Sequence, residues 1–183
     1  FKQKTAYEIM PSLVGSEMCI RDRSILAKYL GGNNIVWLNK GIAGDDTHGH
    51  VDDFCRFVDT QRVVLCQERN IHDANHRPLS ENRERLDSAR LENGSKIEVV
   101  SLPMPGPLYF DGCRLPASYA NFYIGNAAVL VPTFNDPNDR VALGILGELF
   151  HDRPVVGIHA VDLVWGFGTI HCMTQQLPAI LVS

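Results

Sequence analysis

Short apolar runs of five to eight residues recur along the chain, separated by polar stretches or by stretches rich in glycine and proline. Runs of this length that contain β-branched residues and end at turn residues are typical of β-strands. They predict strands at 34–38, 51–58, 62–66, 97–102, 118–124, 128–132, 154–158 and 169–173. Stretches with apolar residues three and four positions apart predict helices. These lie at 25–30, where Gly31 and Gly32 end the helix, and at 81–91 and 139–150.

The predicted elements follow a repeating order of strand, turn, strand, helix and strand. The runs 35–38, 97–100 and 155–158 each follow a helix and hold the same place in successive units. A repeat of about 50 to 70 residues is typical of a propeller or an array, because one such unit cannot bury its own faces. We therefore expect an α/β (α+β) fold of ββαβ modules, in which the first strand of each module faces a central channel.

Composition narrows the classes of function. The chain has 183 residues, of which 45% are hydrophobic and 21% are charged, as in a soluble globular domain. Its net charge of −4 offers no basic surface to nucleic acid, and no apolar run reaches the about 18 to 20 residues of a membrane span. Five cysteines without a CxxC pair favour reduced thiols and a cytoplasmic protein. We expect neither a nucleic-acid nor a membrane partner.

One cysteine stands in a context that is typical of catalysis. Cys172 follows a Gly- and Thr-rich approach and precedes two glutamines, in the segment GFGTIHCMTQQLP at 166–178. About 120 residues upstream, the segment DDTHGHVDD at 45–53 supplies histidines and carboxylates. A lone cysteine with a distant His/Asp cluster is typical of a cysteine nucleophile. The carboxylates favour a cationic guanidine as the substrate, because ionised Asp only accepts hydrogen bonds.

The pattern assigns the central chemical roles to Cys172 and His50. A thiol attacks as the thiolate, which a nearby imidazolium or the guanidinium of the substrate stabilises. The alternative for Cys172 is that it is a buried core cysteine without a chemical role. His50 is the expected general acid and base, because imidazole titrates near neutral pH. His171 is its rival, but neighbours on a strand point to opposite faces, so we expect His171 to face away from Cys172. The cysteines at 55, 66 and 113 lack this context and are expected to be core or surface residues.

The position of each carboxylate in the segment 45–53 predicts a different role for it. Asp52 lies two residues after His50 and thus on the same predicted strand face, where it can hold a guanidinium. The same alternation turns Asp53 away from the site, and Asp45 is expected to support the loop. Asn121 either contributes an amide to the substrate site or satisfies a neighbouring strand.

The same loop also allows an interpretation as a metal site. His48 and His50, followed by carboxylates, resemble part of a dinuclear hydrolase cluster. No further His/Asp group matches as a third or fourth ligand. We therefore expect no metal and no cofactor, and keep a metal-dependent hydrolase as an alternative.

Three ordered segments carry a family resemblance. DDTHGHVDD, LPASYANFYIGN and GTIHCMTQQLP, at these separations, resemble the agmatine deiminase and Porphyromonas-type peptidylarginine deiminase family. The similarity runs from about residue 30 to residue 178. It implies a pentein fold, a propeller of ββαβ modules around a substrate channel, which is incomplete in a chain about half as long as the family domain. It also implies that Asp46 is a substrate-binding acid.

The resemblance implies a specific reaction. This is the hydrolysis of agmatine to N-carbamoylputrescine and ammonia through an amidino-cysteine intermediate, a cofactor-free step of putrescine and polyamine biosynthesis. Asp46 and Asp52 would hold the guanidinium while Cys172 attacks. One alternative is a peptidylarginine deiminase, and another is a fragment that catalyses nothing. Such a fragment would expose strand edges, which favour association into a homo-oligomer.

The first 23 residues do not share the pattern of the rest. They lack the apolar core of a signal peptide, and proline and glycine interrupt any helical period. The string FKQKTAYEIMPSLVGSEMCIRDR resembles a translated sequencing-adapter read-through; the alternative is a natural leader. We expect 1–23 to be a non-native leader and 24–183 to be the C-terminal part of a single deiminase domain.

Overall fold

The structure is a computed structural model that describes residues 17–32, 34–46 and 49–177. Within these residues, three α-helices lie at Glu17–Leu30 (α1), His76–Ser88 (α2) and Asn138–Leu149 (α3). Eight strands lie at Cys55–Phe57 (β1), Arg62–Gln67 (β2), Glu98–Pro103 (β3), Tyr109–Phe110 (β4), Cys113–Arg114 (β5), Tyr123–Ile124 (β6), Val129–Thr133 (β7) and Val155–His159 (β8). None of the helices described is long and apolar enough to cross a bilayer.

Two three-stranded sheets share one topology, which confirms the predicted ββαβ modules. In the first module, β2 pairs antiparallel with β1 and parallel with β3, with α2 as the crossover between the parallel strands. In the second module, β7 pairs antiparallel with β6 and parallel with β8, with α3 as the crossover. Parallel neighbours require such a long connection, so the order of strand, strand, helix and strand dictates this topology.

The central strands carry the apolar runs that the sequence marks as buried. Val63 to Cys66 of β2 are all buried, as are Val129, Val131 and Pro132 of β7. A strand covered on both faces needs a continuous apolar run rather than an alternating one. The helix α3 contacts β8 of its own module and β3 of the other, so the two modules share one core.

Aromatic rings join the second module to the segment that precedes it. The rings of Tyr119 and Phe134 lie 5.6 Å apart, and those of Phe122 and Phe150 lie 6.0 Å apart in an edge-to-face arrangement. All four side chains are buried, and rings in this geometry contribute about 0.5–1.5 kcal/mol per pair beyond the area that they bury. The segment 118–122 is therefore packed into the core although no part of it is a strand.

The predicted strand at 34–38 is wrong, because this stretch is irregular and pairs with none of the described strands. Polar side chains at α2 hold the backbone that follows it. The Asn82 carboxamide accepts from Asn39 N at 2.6 Å and donates to Lys40 O at 2.9 Å. Asn75, just before α2, accepts from Ala43 N at 2.7 Å. Both asparagines are buried. They satisfy the backbone that leads into the DDTHGHVDD loop and so fix the start of that loop.

Three predicted strands are shorter than expected or are absent. The stretch 51–58 begins with a 3₁₀ turn, Val51–Asp53, and becomes a strand only at Cys55. The stretch 118–124 is a strand only over its last two residues. The stretch 169–173 is a turn, in which Met173 N donates to Thr169 O and Thr174 N donates to His171 O. Consequently none of the predicted site residues in these stretches lies on a strand.

Two element boundaries have local causes. Helix α2 begins at His76, five residues before the predicted start, since the turn that precedes it is closed by Asn75 N donating to the Asp73 carboxylate. The connection at 103–116, which is rich in proline and glycine, contains the hairpin β4–β5. Its turn residues Asp111 and Gly112 both have positive φ, at 47° and 75°. An Asp-Gly pair is the sequence signal for that turn.

The expected leader is described only in part. Residues 1–16 lie outside the described residues, and residues 17–23 form the first half of α1. Helix α1 ends where the glycine pair predicts, with Gly31 at φ 73° and its N–H bonded to Ala27 O. The division at residue 23 stays a prediction.

Candidate active site

Three segments of irregular backbone meet where the sequence predicts the chemistry. They are the loop and 3₁₀ turn at 45–53, the buried stretch at 118–122, and the turn at 168–174. Hydrogen bonds between side chains join all three segments, over sequence separations of up to 120 residues. The ββαβ modules hold these segments in place, and the segments themselves carry the reactive groups.

The first segment is braced by the buried carboxylate of Asp45. Its Oδ2 accepts from the backbone N–H groups of Gly49 and His50, each at 2.8 Å, and its Oδ1 lies 3.3 Å from His50 Nδ1. The predicted loop-supporting role of Asp45 is therefore confirmed. Gly44 enables this path, because it has φ 95° and a Cβ there would lie 2.6 Å from Arg114 O. The His50 ring is half exposed, on a loop held from inside.

The 3₁₀ turn carries two adjacent carboxyl groups, Asp52 and Asp53, whose ionisation states differ. Burial would raise the pKa of Asp52, but hydrogen bonds from His171 and Cys172 outweigh it and hold the pKa below its usual range. Asp53 is completely buried, and burial together with the charges of Asp52 and Asp45 raises its pKa to about 8. At neutral pH Asp52 is thus an anion and Asp53 mostly a neutral acid.

Asn121 is the side chain that connects the three segments. Its Oδ1 accepts from Thr169 N at 3.2 Å, Thr169 Oγ1 at 2.9 Å, His171 N at 3.0 Å and Cys172 N at 3.3 Å. Its Nδ2 donates to the acceptors of the site, namely Cys172 Sγ at 3.0 Å, Asp52 Oδ2 at 3.2 Å and Asp53 Oδ1 at 2.7 Å. Its carbonyl oxygen thus shapes the turn that carries Cys172, and its amide points at the thiol and the carboxylates.

Cys172 is exposed and lies beside an anion. Its thiol sulfur is 3.4 Å from Asp52 Oδ2, the acceptor for the S–H group. Partial burial and the charges of Asp53 and Asp52 raise its pKa, against the opposing effect of the Asn121 amide. The resting group is therefore a thiol, which needs a cation to become a thiolate near neutral pH. Cys55 and Cys66 are buried and Cys113 is exposed, as predicted.

Gly168 is required by the close packing of the turn on Cys172. A Cβ at Gly168 would lie 2.6 Å from Cys172 Cβ and 2.8 Å from Sγ. Real side chains do not approach so closely, so a side chain at this position would displace the Cys172 side chain. Glycine at this position therefore sets where the sulfur sits.

His171 belongs to the site, so the expectation that it faces away is wrong. Its Nδ1 lies 2.7 Å from Asp52 Oδ2, and its side chain is 27% exposed. The alternation argument fails because 169–173 is a turn, in which neighbouring side chains can point to the same side. Because the carboxylate only accepts, the Nδ1 nitrogen carries the proton.

The expectation that Asp53 faces away is wrong for a similar reason. In the 3₁₀ turn, Asp52 and Asp53 both reach the Nδ2 of Asn121. A turn with about three residues per revolution does not separate neighbours onto opposite faces. Sequence reasoning based on a strand period could not place this carboxyl.

Arg56 is a further residue that sequence reasoning did not single out. From β1, its guanidinium donates to Phe122 O at 2.8 Å and Ala120 O at 3.4 Å and lies 4.9 Å from the Phe122 ring centroid. It thereby holds the two neighbours of Asn121. The signal was a lone arginine inside the apolar run FCRFV.

Of the predicted site residues, the structure brings Asp52, Asn121 and Cys172 into one hydrogen-bonded group. His50 precedes the 3₁₀ turn of Asp52, and in the described part of the chain no hydrogen bond joins it or Asp46 to Cys172. Asp46 is exposed on the same loop. A substrate-binding role for Asn121 stays a prediction, although its carboxamide is buried and occupied by protein groups.

Metal ligation has limited support in the described residues. Donor atoms of Asp45, Asp46 and His50 lie within 4.8 Å of one another. Asp45, however, already braces the loop backbone. His48, the other histidine of the metal interpretation, lies outside the described residues. We assign no metal role to this loop.

A cavity of about 610 Å³ lies beside the first module and not at Cys172. Its lining includes Val36, Leu38, Arg56, Leu86 and Ile97. It is a predominantly apolar space between the 34–38 segment, the end of α2 and the sheet, so we assign no part of the proposed chemistry to it.

The chain is similar to known proteins over most of its length. The model of the Porphyromonas-type peptidyl-arginine deiminase family matches residues 21–178. The agmatine deiminase of Medicago truncatula is 39% identical over 176 residues, which cover 85% of this chain and 47% of that protein. A Porphyromonas gingivalis structure, provisionally named an arginine deiminase, is 41% identical with a TM-score of 0.83, over 89% of this chain and 48% of that one.

A third relative was solved with a ligand. It is the C. jejuni agmatine deiminase, as a cysteine-to-serine variant with substrate bound, 30% identical with a TM-score of 0.75 over 85% of this chain and 45% of that one. The chain thus spans about half the length of the relatives it matches. These neighbours have the pentein fold, and the two ββαβ modules are part of that propeller. Because the family match takes in both modules and every residue of the network around Cys172, the chain belongs to the Porphyromonas-type peptidyl-arginine deiminase family.

Proposed function

We propose that this site hydrolyses the guanidino group of agmatine to N-carbamoylputrescine and ammonia, as a step of polyamine biosynthesis. The sulfur of Cys172 bonds to the guanidinium carbon, and one C–N bond breaks to release ammonia. Water then bonds to the same carbon while the C–S bond breaks, and Cys172 leaves as the thiolate. One water is consumed and one ammonia released, so no oxidant, reductant or cofactor is needed.

The observation that carries this proposal is the pairing of the exposed Cys172 thiol with the Asp52 anion and the Asn121 amide. A raised thiol pKa next to an anion suits a substrate that brings its own positive charge. The guanidinium neutralises Asp52 on binding, and the same charge then stabilises the thiolate. A neutral substrate would provide neither effect.

Asp52 and Asp46 are the proposed contacts to the guanidinium. A carboxylate accepts two N–H groups of a guanidinium in one plane and so orients its carbon toward the sulfur. Asp52 already accepts from Asn121, His171 and Cys172 and is ionised at neutral pH. Asp46 is exposed on the loop that Asp45 fixes, where a ligand can reach it.

His50 is the proposed general acid and base, which protonates departing ammonia and then activates water. Its half-exposed ring stands on a braced loop two residues before Asp52. His171 is the competing candidate, since its Nδ1 is tied to Asp52 and its Nε2 is left for proton transfer. His50→Ala and His171→Ala separate the two, because the general base is the one whose loss removes the acidic limb of the pH–rate profile.

The test of the proposal compares binding with turnover in two variants. Cys172→Ser should lose at least about a thousandfold in turnover yet still bind agmatine, because a hydroxyl is a poor nucleophile of similar size. Asp52→Asn should weaken binding by about tenfold or more, since it loses a charge-assisted hydrogen bond. Calorimetry measures agmatine binding and an ammonia assay measures turnover. Cys113→Ser, at an exposed thiol of the β4–β5 hairpin, is the matched control.

Several outcomes would overturn the proposal. Full activity in Cys172→Ser, or activity that a chelator abolishes and zinc restores, would support the metal-dependent hydrolase instead. Release of ammonia from an arginine-containing peptide but not from agmatine would identify a peptidylarginine deiminase. Neither binding nor turnover in a folded chain would identify a catalytically incomplete fragment. Cytoplasmic location and association into a homo-oligomer remain part of the proposal for the whole protein.

A further inference from the structure

Asp53 is a buried carboxyl group to which the proposed reaction gives no role. It is completely buried at the end of the 3₁₀ turn. Its Oδ1 accepts from Asn121 Nδ2 at 2.7 Å, the shortest of the three contacts that this amide makes. Its Oδ2 is the one buried side-chain oxygen or nitrogen of the described residues that has no hydrogen-bond partner. An unpartnered, buried oxygen is costly for an anion and much less so for a neutral acid.

Charged or titratable groups lie on every element that meets around Asp53. They are Asp52 beside it, Asp45, Asp46 and His50 on the loop, Arg56 of β1, Cys66 of β2, and His171 and Cys172 of the turn. The single fixed cation among them, Arg56, donates to backbone carbonyls and not to Asp53. The charges of Asp52, Asp45 and Asp46 all oppose a further anion and, with burial, raise the Asp53 pKa to about 8.

The orientation of the Asn121 amide depends on both of its ends. The four donors at its Oδ1 identify that atom as the oxygen. The two hydrogens on Nδ2 face three acceptors, so one serves Asp53 while the other is shared between Cys172 Sγ and Asp52. Without the Asp53 oxygen, the amide can turn away from the sulfur and toward Asp52.

We infer that Asp53 acts as a neutral positioning residue, whose carboxyl oxygen holds the Asn121 amide so that it donates to the Cys172 sulfur. This inference rests on the proposed function of Cys172 as a nucleophile. Ionisation of Asp53 places a second anion beside the Cys172 sulfur and so opposes formation of the thiolate. The site therefore contains two adjacent aspartates of which only Asp52 is charged when the thiol reacts.

The test measures the reactivity of the thiol rather than turnover, so it stays separate from any failure of the agmatine proposal. The 183-residue chain is treated with iodoacetamide from pH 6 to pH 10, and the alkylation rate of each cysteine is read by peptide mass spectrometry. The exposed Cys113 is an internal control whose rate should not differ between variants. The buried Cys66 reports unfolding, because it reacts only when the core opens.

Two substitutions separate the acceptor from the charge. At pH 7, Asp53→Ala should slow alkylation of Cys172 by about three- to tenfold, the range of one net hydrogen bond. Asp53→Asn keeps an oxygen at the Oδ1 position without any charge, and should stay within about twofold of the unsubstituted chain. The unsubstituted chain should show a break near pH 8, where its rate rises less steeply, and Asp53→Asn should show none.

Three results would overturn the inference. They are an unchanged rate in Asp53→Ala at pH 7, equal slowing in both variants at pH 7, and a profile without a break near pH 8 in the unsubstituted chain. Alkylation of Cys66 in Asp53→Ala would show that this variant is unfolded. In that case the pH profiles of Asp53→Asn and the unsubstituted chain alone test the inference. Loss of agmatine turnover with these alkylation results intact would contradict the proposed substrate and leave the role of Asp53 standing.

Discussion

The two ββαβ modules and the three irregular segments that meet at Cys172 are held together by different forces. In the modules, buried apolar side chains of β2, β7 and α3 stabilise the fold through many weak contacts. In the segments that carry the reactive groups, a few buried polar side chains, above all Asn121 and Asp45, determine the backbone path. The modules therefore tolerate small losses that are shared over many contacts, whereas one altered hydrogen bond can displace the nucleophile.

This contrast predicts that substitutions in the two regions affect different properties of the protein. Substitutions inside the modules should change the free energy of unfolding and leave the chemistry of each folded molecule alone. Substitutions at the irregular segments should change the chemistry by more than they change stability. The following variants are ordered from the largest expected effect to the smallest.

Leu146→Ala should cause the largest loss of stability. Leu146 lies on the buried face of α3 and is fully covered, so its truncation leaves a cavity. The expected decrease in the free energy of unfolding is about 2–5 kcal/mol. Urea titration measures it, and the alkylation rate of Cys172 in the folded fraction should not change. A changed rate in folded molecules would show that the module and the site are not separable.

Gly168→Ala should lower turnover by more than it lowers stability. The new methyl group would overlap Cys172 Cβ and Sγ, so the sulfur must move. A displacement on the order of 1 Å can lower turnover about a hundredfold. Ammonia release measures this, with urea titration as the control for folding. Gly147→Ala, on α3 with open space around its Cβ position, is the matched substitution and should leave turnover unchanged.

Asp53→Asn should flatten the pH dependence of stability. The folded state holds the Asp53 proton up to about pH 8, whereas the unfolded chain releases it near the ordinary aspartate pKa of 3.8. Between these values the folded state binds more protons, so this group makes stability fall as the pH rises, by at most about 1.4 kcal/mol per pH unit. Urea titrations from pH 5 to pH 8 should show a shallower decline in Asp53→Asn. Parallel curves would contradict a neutral Asp53.

Arg83→Ala should have the smallest effect. Its ion pair with Asp87 on α2 spans 3.0 Å, and both side chains are exposed. Exposed pairs of this kind contribute little, since water and salt screen them. The expected change in Tm is below about 2 °C. A larger decrease would show that the polar face of α2 contributes more to the first module than its core residues suggest.

The sequence predicts the modules well because buried strands and helices leave local apolar patterns in it. Apolar runs located β2, β3, β7, β8 and α3 to within about two residues, and their order predicted the ββαβ topology. The hairpin at Asp111 and Gly112 was missed, although an Asp-Gly pair is a known turn signal. The predicted strand at 34–38 failed because no described strand pairs with that stretch, and the absence of a partner leaves no mark in the local sequence.

The site was predictable in its members and not in its geometry. Motif spacing identified Asp52, Asn121 and Cys172, which the structure joins. It misplaced His171 and Asp53, because both assignments assumed strands where the backbone forms turns. A turn held by side chains 50 or more residues away has no local sequence signature, so only the folded structure shows which neighbours share a face.

The most direct test of the account asks whether Cys172 carries the reaction. The chain is mixed with agmatine, quenched in acid within the first turnovers, digested, and examined by mass spectrometry for an amidino group on each cysteine. The account predicts an adduct on the peptide that contains Cys172, none on the peptide with Cys113, and no adduct in Cys172→Ser. Ammonia release without an adduct on Cys172, or an adduct on another cysteine, would contradict it.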